Sequence, residues 1–110
     1  MNEALDTLVR SVEACQKTCN ICFTACLKEE DVNMLARCIE LNRECADMCG
    51  IVADMAYRES PIFPDLVAAC AKICDMCAEE CEKHEHMQHC LDCAAACREC
   101  AEACRNYLAQ

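Results

Sequence analysis

Sixteen of the 110 residues are cysteine, and their spacing is regular. Cys15, Cys19, Cys22 and Cys26 follow one another at steps of 4-3-4. Cys70, Cys74, Cys77 and Cys81 repeat those steps, as do Cys93, Cys97, Cys100 and Cys104. Cys38, Asn42, Cys45 and Cys49 keep the spacing with an amide in one slot, and Cys90 extends the last row by three. The rows contain seven C-x-x-x-C pairs: Cys15/Cys19, Cys22/Cys26, Cys45/Cys49, Cys70/Cys74, Cys77/Cys81, Cys93/Cys97 and Cys100/Cys104. On a helix the Cβ atoms of such a pair stand about 5–6 Å apart. That is wider than a disulfide accepts, about 3.5–4.5 Å. A pair within one helix therefore cannot oxidise without distorting it, whereas a metal ion between the sulfurs tolerates the gap. Near-linear bis-thiolate coordination suits Cu(I), a soft ion selected by soft ligands.

Other thiol chemistries fit the spacing less well. Zinc takes closed tetrahedral sites, usually from C-x-x-C knuckles on turns. The C-x-x-C steps here, Cys19/Cys22, Cys74/Cys77, Cys90/Cys93 and Cys97/Cys100, lie inside continuous helical pattern. Zinc sites built from four cysteines of different helices remain an alternative, which would make the chain a metallothionein-like zinc or soft-metal buffer. Ferredoxin spacing with its terminal Cys-Pro is absent. A catalytic cysteine is singled out by a base and an orienting group, so sixteen equivalent thiols argue against an enzyme. A third reading is a redox bundle whose thiols form a reversible reservoir. Charge favours a metal load. An apo core of this kind must be mostly neutral thiol, and about one Cu(I) per thiolate leaves it near neutral with about one proton released per site.

Steps of three and four trace one face of a helix. The same register runs on into ordinary core residues. It reads Leu5, Leu8, Val12, Cys15, Cys19, Cys22, Cys26, and then Leu35, Cys38, Asn42, Cys45, Cys49, Val52, Ala56. The third row reads Phe63, Val67, Cys70, Cys74, Cys77, Cys81, His84, and the fourth His86, Cys90, Cys93, Cys97, Cys100, Cys104, Tyr107. These are seam positions of heptad-patterned helices, where Leu or Ile is usual. Leu, Ile, Val and Phe supply only 20 residues, which with a net charge of −10 would otherwise describe a disordered chain. Free cysteine, a small and readily buried hydrophobe, takes their place.

The breaks fall where a bundle needs them. Glu29-Glu30-Asp31 offers an acidic cap and first turn for a second helix. Ser60-Pro61-Ile62-Phe63-Pro64-Asp65 closes it and opens a third, and His84-Glu85-His86 marks a short third break. The pattern predicts helices over 3–28, 31–58, 64–83 and 86–108. Short connections make neighbours antiparallel, so the expected fold is all-α: an up-down-up-down four-helix bundle with a Cys-lined core, one domain over 1–110.

In that bundle the first and third connections share an end with Cys26, Cys81 and Cys90. Met34, His84, His86, Met87 and His89 gather at the same end, and Leu5, Leu8, Val12, Val52, Met55, Val67 and Tyr107 plug the other. Imidazole and thioether are suitable intermediate Cu(I) ligands, so the histidine end is the expected route for metal. His84 and His86 fall on the seam and His89 does not. Asn42 either fixes helix register, as a buried Asn does in coiled coils, or leaves one vertex without metal. Met48 and Met76 lie off the seam and flank the core.

Lys and Arg number 10 against 20 Asp and Glu and form no basic stripe, which excludes nucleic acid as the expected partner. No apolar run approaches the length of about 18 residues that a membrane span needs. Glu3, Asp6, Arg10 and Glu13 in the opening residues are unlike a secretory leader. The expected compartment is therefore the cytosol, where thiols stay reduced.

The runs CQKTCNICFTAC, CAKICDMCAEEC and CAAACRECAEAC, with the incomplete CIELNRECADMC, resemble those of the bacterial Cys-rich four-helix-bundle copper storage proteins, in their cytosolic branch. The likeness covers essentially the whole chain. It implies bundles that fold before loading and assemble as a homotetramer. It also implies many Cu(I) ions per protomer on the inward cysteines, with His residues near one end as auxiliary ligands. Copper chaperones or small-molecule thiols are the expected exchange partners.

Overall fold

The computed structural model describes residues 2–110. The described residues form four α-helices, α1 (Glu3–Leu27), α2 (Ala36–Met55), α3 (Phe63–Glu82) and α4 (Gln88–Leu108), with a 3-10 turn at Val32–Leu35. The antiparallel order is visible in the sulfur pairs. Between α1 and α4, Cys15 meets Cys97, Cys19 meets Cys93 and Cys22 meets Cys90, so one number rises as the other falls. Between α2 and α3 the pairs Cys38/Cys81, Cys45/Cys74 and Cys49/Cys70 run the same way. Each helix packs against its two neighbours around a square, and among the described residues the diagonal helices make no backbone approach. The result is a rod of 47 × 18 × 17 Å.

Local chemistry sets the ends. The Asn2 side chain accepts the Leu5 N–H at 3.0 Å and caps α1. Pro64 sits in the first turn of α3, where its missing N–H leaves nothing unpaired. α3 and α4 share the most extensive contact in the bundle, and Ala71 and Ala78 on α3 and Ala94 and Ala101 on α4 are buried. Across the outside of that contact, the Arg98 guanidinium forks onto Glu82 at 2.8 and 3.0 Å.

Three boundaries depart from expectation. Residues 31–35 do not begin α2, and Asp31 makes no capping hydrogen bond; instead the tighter 3-10 turn drives Leu35 fully into the core. The second helix stops at Met55 rather than 58, since the chain turns over residues 56–59 and Glu59 takes a left-handed φ of 56°. The fourth begins at Gln88 rather than 86, which removes His86 from the helix. No described helix is long and apolar enough to cross a membrane.

Candidate metal centre

All sixteen cysteines are free and fully buried, so every seam position assigned to a thiol faces the bundle interior. Leu8, Val12, Val52 and Val67 close the end away from the histidines with no exposure. Phe63 and Tyr107 add an edge-to-face pair there, with ring centroids 5.6 Å apart. The interior between that plug and the histidine end is sulfur.

The sulfurs form one connected column. Within helices, Cys15 and Cys19 stand 3.9 Å apart and Cys22 and Cys26 3.8 Å. Between helices, separations of 3.6 Å occur at Cys38/Cys81 and Cys45/Cys74, and 3.7 Å at Cys15/Cys97 and Cys19/Cys93. Groups whose sulfurs all lie within 4.8 Å of one another follow the axis. From the histidine end they include Cys22, Cys26, Cys38 and Cys90; Cys22, Cys81 and Cys93; Cys19, Cys77, Cys93 and Cys97; Cys15, Cys19, Cys45 and Cys97; and Cys15, Cys49, Cys74 and Cys100. Each group shares at least one thiol with the next. A tetrahedral zinc site with Zn–S bonds of about 2.3 Å also needs sulfurs close to these separations, so distance does not discriminate. Sharing does. Zinc keeps four ligands around each ion even where it shares thiolates, so it fills a column of shared thiols with few ions, whereas two-coordinate Cu(I) on bridging sulfurs can approach one ion per thiol.

Asn42 is fully buried within this column. Its Oδ1 accepts from the thiols of Cys77 and Cys93 at 3.4 Å and of Cys81 at 3.7 Å, while Nδ2 donates to Cys38 at 3.7 Å. The amide thus replaces a thiol without leaving a polar atom unpaired, and it ties α2 to both α3 and α4. Its layer keeps three cysteines where the layers beside it have four.

Protonation follows from the same contacts. Hydrogen bonding with Cys38, Cys81 and Cys90 holds the Cys22 thiol down at about 3, against the opposing effect of burial. Hydrogen bonding with neighbouring sulfurs and burial push Cys74, Cys81 and Cys97 far up. A sulfur that ionises draws S–H bonds toward itself and keeps its donors protonated. Cys15, Cys45 and Cys70 are held below the usual thiol range in the same way as Cys22, so the metal-free column carries thiolates as well as thiols.

The three histidines part company. His84 is buried, but its Nε2 bonds the Glu80 carboxylate at 3.0 Å rather than any thiol. His86 lies in the exposed turn before α4 and not on the seam, because the helix starts two residues later than its spacing implies. His89, placed off the seam by the sequence, is the one that reaches the sulfurs. From the first turn of α4 its Nδ1 stands 3.3 Å from Cys22 Sγ and 3.6 Å from Cys90 Sγ. Burial disfavours its imidazolium, yet the Cys22 sulfur and the Glu29 carboxylate outweigh burial and raise its pKa. The two carboxylates beside the histidines were not singled out in the sequence. Glu80 is four residues before His84, a helical spacing that could have found it; Glu29 comes from a separate connection and has no such signal. Of the methionines, Met87 and Met48 pack against the core, while Met34 and Met76 are exposed.

The chain matches the family model described as copper storage protein over residues 1–109. The chain belongs to the copper storage protein family. An uncharacterized cysteine-rich protein of Bacillus subtilis strain 168, YhjQ, is 42% identical over 96 residues, covering 87% of this chain and 88% of its own. Among solved members of the family, the Cu(I)-bound copper storage protein BsCsp3 superposes with a TM-score of 0.89 at 41% identity, over 94% of this chain and 97% of its own. A cytosolic copper storage protein from Streptomyces lividans, solved with five coppers, gives a TM-score of 0.94 at 35% identity, over 98% of this chain and 94% of its own. The copper storage family thus accounts for both the helical frame and the thiol-filled interior.

Proposed function

We propose that this protein stores or buffers Cu(I), many ions per chain, on the inward thiolates of its bundle. The observation that carries this reading is the sharing of thiols between successive groups, which lets bridging sulfurs approach one Cu(I) per cysteine. The proposed ligands are Cys15, Cys19, Cys22, Cys26, Cys38, Cys45, Cys49, Cys70, Cys74, Cys77, Cys81, Cys90, Cys93, Cys97, Cys100 and Cys104. Metal enters and leaves at the histidine end, where His89 adds an imidazole nitrogen beside Cys22 and Cys90, and His84 and His86 form the rim.

The role is sequestration without catalysis. Cys22 and Cys90 stand beside the His89 ring, but like the other fourteen cysteines they are fully buried, which leaves no surface from which a nucleophile could attack a substrate. The whole chain, residues 1–110, is one storage unit. It works in the cytoplasm, where thiols stay reduced, and it assembles as a homotetramer. Copper chaperones or small-molecule thiols exchange metal with it. Its acidic exterior concentrates cations near the mouth.

An anaerobic Cu(I) titration of the reduced protein, with a chromogenic Cu(I) chelator in competition, tests the reading. The chelator stays colourless until about one Cu(I) per thiol has been added. Saturation near one metal per four thiols, with zinc preferred, would replace copper storage by a zinc buffer.

A further inference from the structure

We propose that Glu29 is the positioning residue of His89, holding the ring in the tautomer and orientation that offer Nδ1 to incoming Cu(I). The inference rests on the reading that His89 is a copper ligand at the mouth. The Nδ1 edge of the ring faces Cys22 and Cys90 at 3.3 and 3.6 Å. The opposite edge is the informative one. His89 Nε2 is buried and has no hydrogen-bond partner, and Glu29 Oε1 stands 3.7 Å from it.

A neutral imidazole carries one N–H and one lone pair. For Nδ1 to bind a metal, the proton must sit on Nε2, and a buried N–H there needs an acceptor. Glu29 supplies one. Its carboxylate hangs from the turn between α1 and α2, on a flexible and partly exposed side chain. A rotation of that side chain closes 3.7 Å to hydrogen-bond distance without moving a helix. Metal-bound histidines commonly donate their second N–H to a carboxylate or carbonyl in this way. His84 shows the contrast. Glu80 holds its Nε2 at 3.0 Å, yet that ring bonds no sulfur, so the carboxylate there anchors a rim residue instead of aiming a ligand. Glu29 also joins the mouth to the α1–α2 connection, so the site spans three segments of the chain: Cys22 from α1, Glu29 from the turn, and His89 with Cys90 from α4.

The test uses the full chain and the variants Glu29→Gln, Glu29→Leu, His89→Ala and the double variant Glu29→Leu/His89→Ala. Loading is followed by stopped flow from a chromogenic Cu(I)–chelate complex. Glu29→Leu is expected to slow the first phase about tenfold, the lower bound for loss of such a partner. Glu29→Gln keeps a carbonyl acceptor and stays within about twofold of the parent. Final capacity stays within about one ion of the parent for all four. The 15N shifts of the His89 ring in the copper-loaded protein give a readout that a purely structural role would not move. The parent and Glu29→Gln show protonated Nε2, whereas Glu29→Leu shows a tautomer mixture. If Glu29→Gln is as slow as Glu29→Leu, the carboxylate acts by attracting the cation and positioning is overturned. A further slowing of the double variant relative to His89→Ala also overturns it, since Glu29 then acts without the ring. If Glu29→Leu loads normally while His89→Ala is slow, the Glu29 role falls and the His89 ligand stands. Normal loading by both single variants removes the His89 reading itself.

Discussion

Cys45 and Cys97 lie on α2 and α4, diagonal helices without backbone contact, yet their sulfurs are 3.9 Å apart at the bundle axis. Where a Leu seam would fill the axis with hydrocarbon, here sulfur fills it, and four helices deliver sulfur to one line. Cys97 is also 3.7 Å from Cys15 and 3.8 Å from Cys19, which places it in two successive groups of the column.

That position predicts unequal losses on substitution. Cys97→Ser removes a sulfur common to two groups and is expected to lower saturating capacity by about two Cu(I), serine oxygen being a poor ligand for a soft ion. Cys26→Ser, at the rim of the column, is expected to lower it by about one. Chelator-competed titrations of the two variants, compared with the parent chain, measure the difference. Equal losses would mean that each thiol serves a single ion and that bridging is absent.

The histidines predict a division between rate and capacity. His89→Ala slows loading while leaving the final copper content within about one ion of the parent, because only one nitrogen ligand is lost. His86→Ala leaves the rate within about twofold, since that side chain is exposed and bonds no sulfur. Stopped-flow loading of the two variants decides the matter. A slow His86→Ala with a normal His89→Ala would move the mouth of the column outward to the turn.

The column was legible because it depends on a single rule. Steps of three and four put residues on one face wherever a helix forms, so the burial of Cys15, Cys45, Cys74 and Cys97 follows from spacing alone. The turns obey no such rule. Extending the helical register backward from Cys90 put His86 on the seam, but α4 begins at Gln88, and this short shift exposes His86 and leaves His89 in the first turn. The role of Asn42 was half legible. The register showed that it is buried, while its bonds to Cys77, Cys81 and Cys93 depend on how α3 and α4 stand against α2. Glu29 was not legible, because the helical period does not link a residue on one connection to a ring on a distant helix.

Two backbone positions predict stability gains that leave the column untouched. Gly50 lies within α2, and a Cβ there meets only the end of the Gln16 side chain, 2.7 Å from Nε2, which is free to swing away. Gly50→Ala is expected to stabilise the metal-free bundle by up to about 1 kcal/mol through helix propensity. Glu59 holds a left-handed φ of 56° with an L side chain. Glu59→Gly relieves about 1–2 kcal/mol of backbone strain and loses about 0.5–1 kcal/mol to chain entropy, a small net gain. Thermal unfolding of the reduced apo-protein measures both. A lower Tm for Gly50→Ala would show that Gln16 is locked in place between α1 and α2.

The proton inventory of the column predicts how copper binding depends on pH. Cys74, Cys81 and Cys97 have raised pKa values and are protonated near neutrality, so each Cu(I) they bind must displace a proton. Binding that releases protons weakens as pH falls, by about tenfold per pH unit for each proton released per ion. Cys15, Cys45 and Cys70 inside the column are held below the usual thiol range, and so is Cys22 at the mouth, at about 3 beside His89. Cys22 has no proton to lose between about pH 5 and 8, so an ion bound there should show a shallower dependence than one bound by Cys74, Cys81 and Cys97. Chelator-competed titrations at several pH values, with proton release followed at constant pH, resolve the two behaviours. The expected outcome is fewer protons released than Cu(I) bound over the whole titration, with a deficit already present in the first equivalents, which fill the mouth. Release of about one proton per Cu(I) from the first ion onward would mean that Cys22 enters the titration as a neutral thiol.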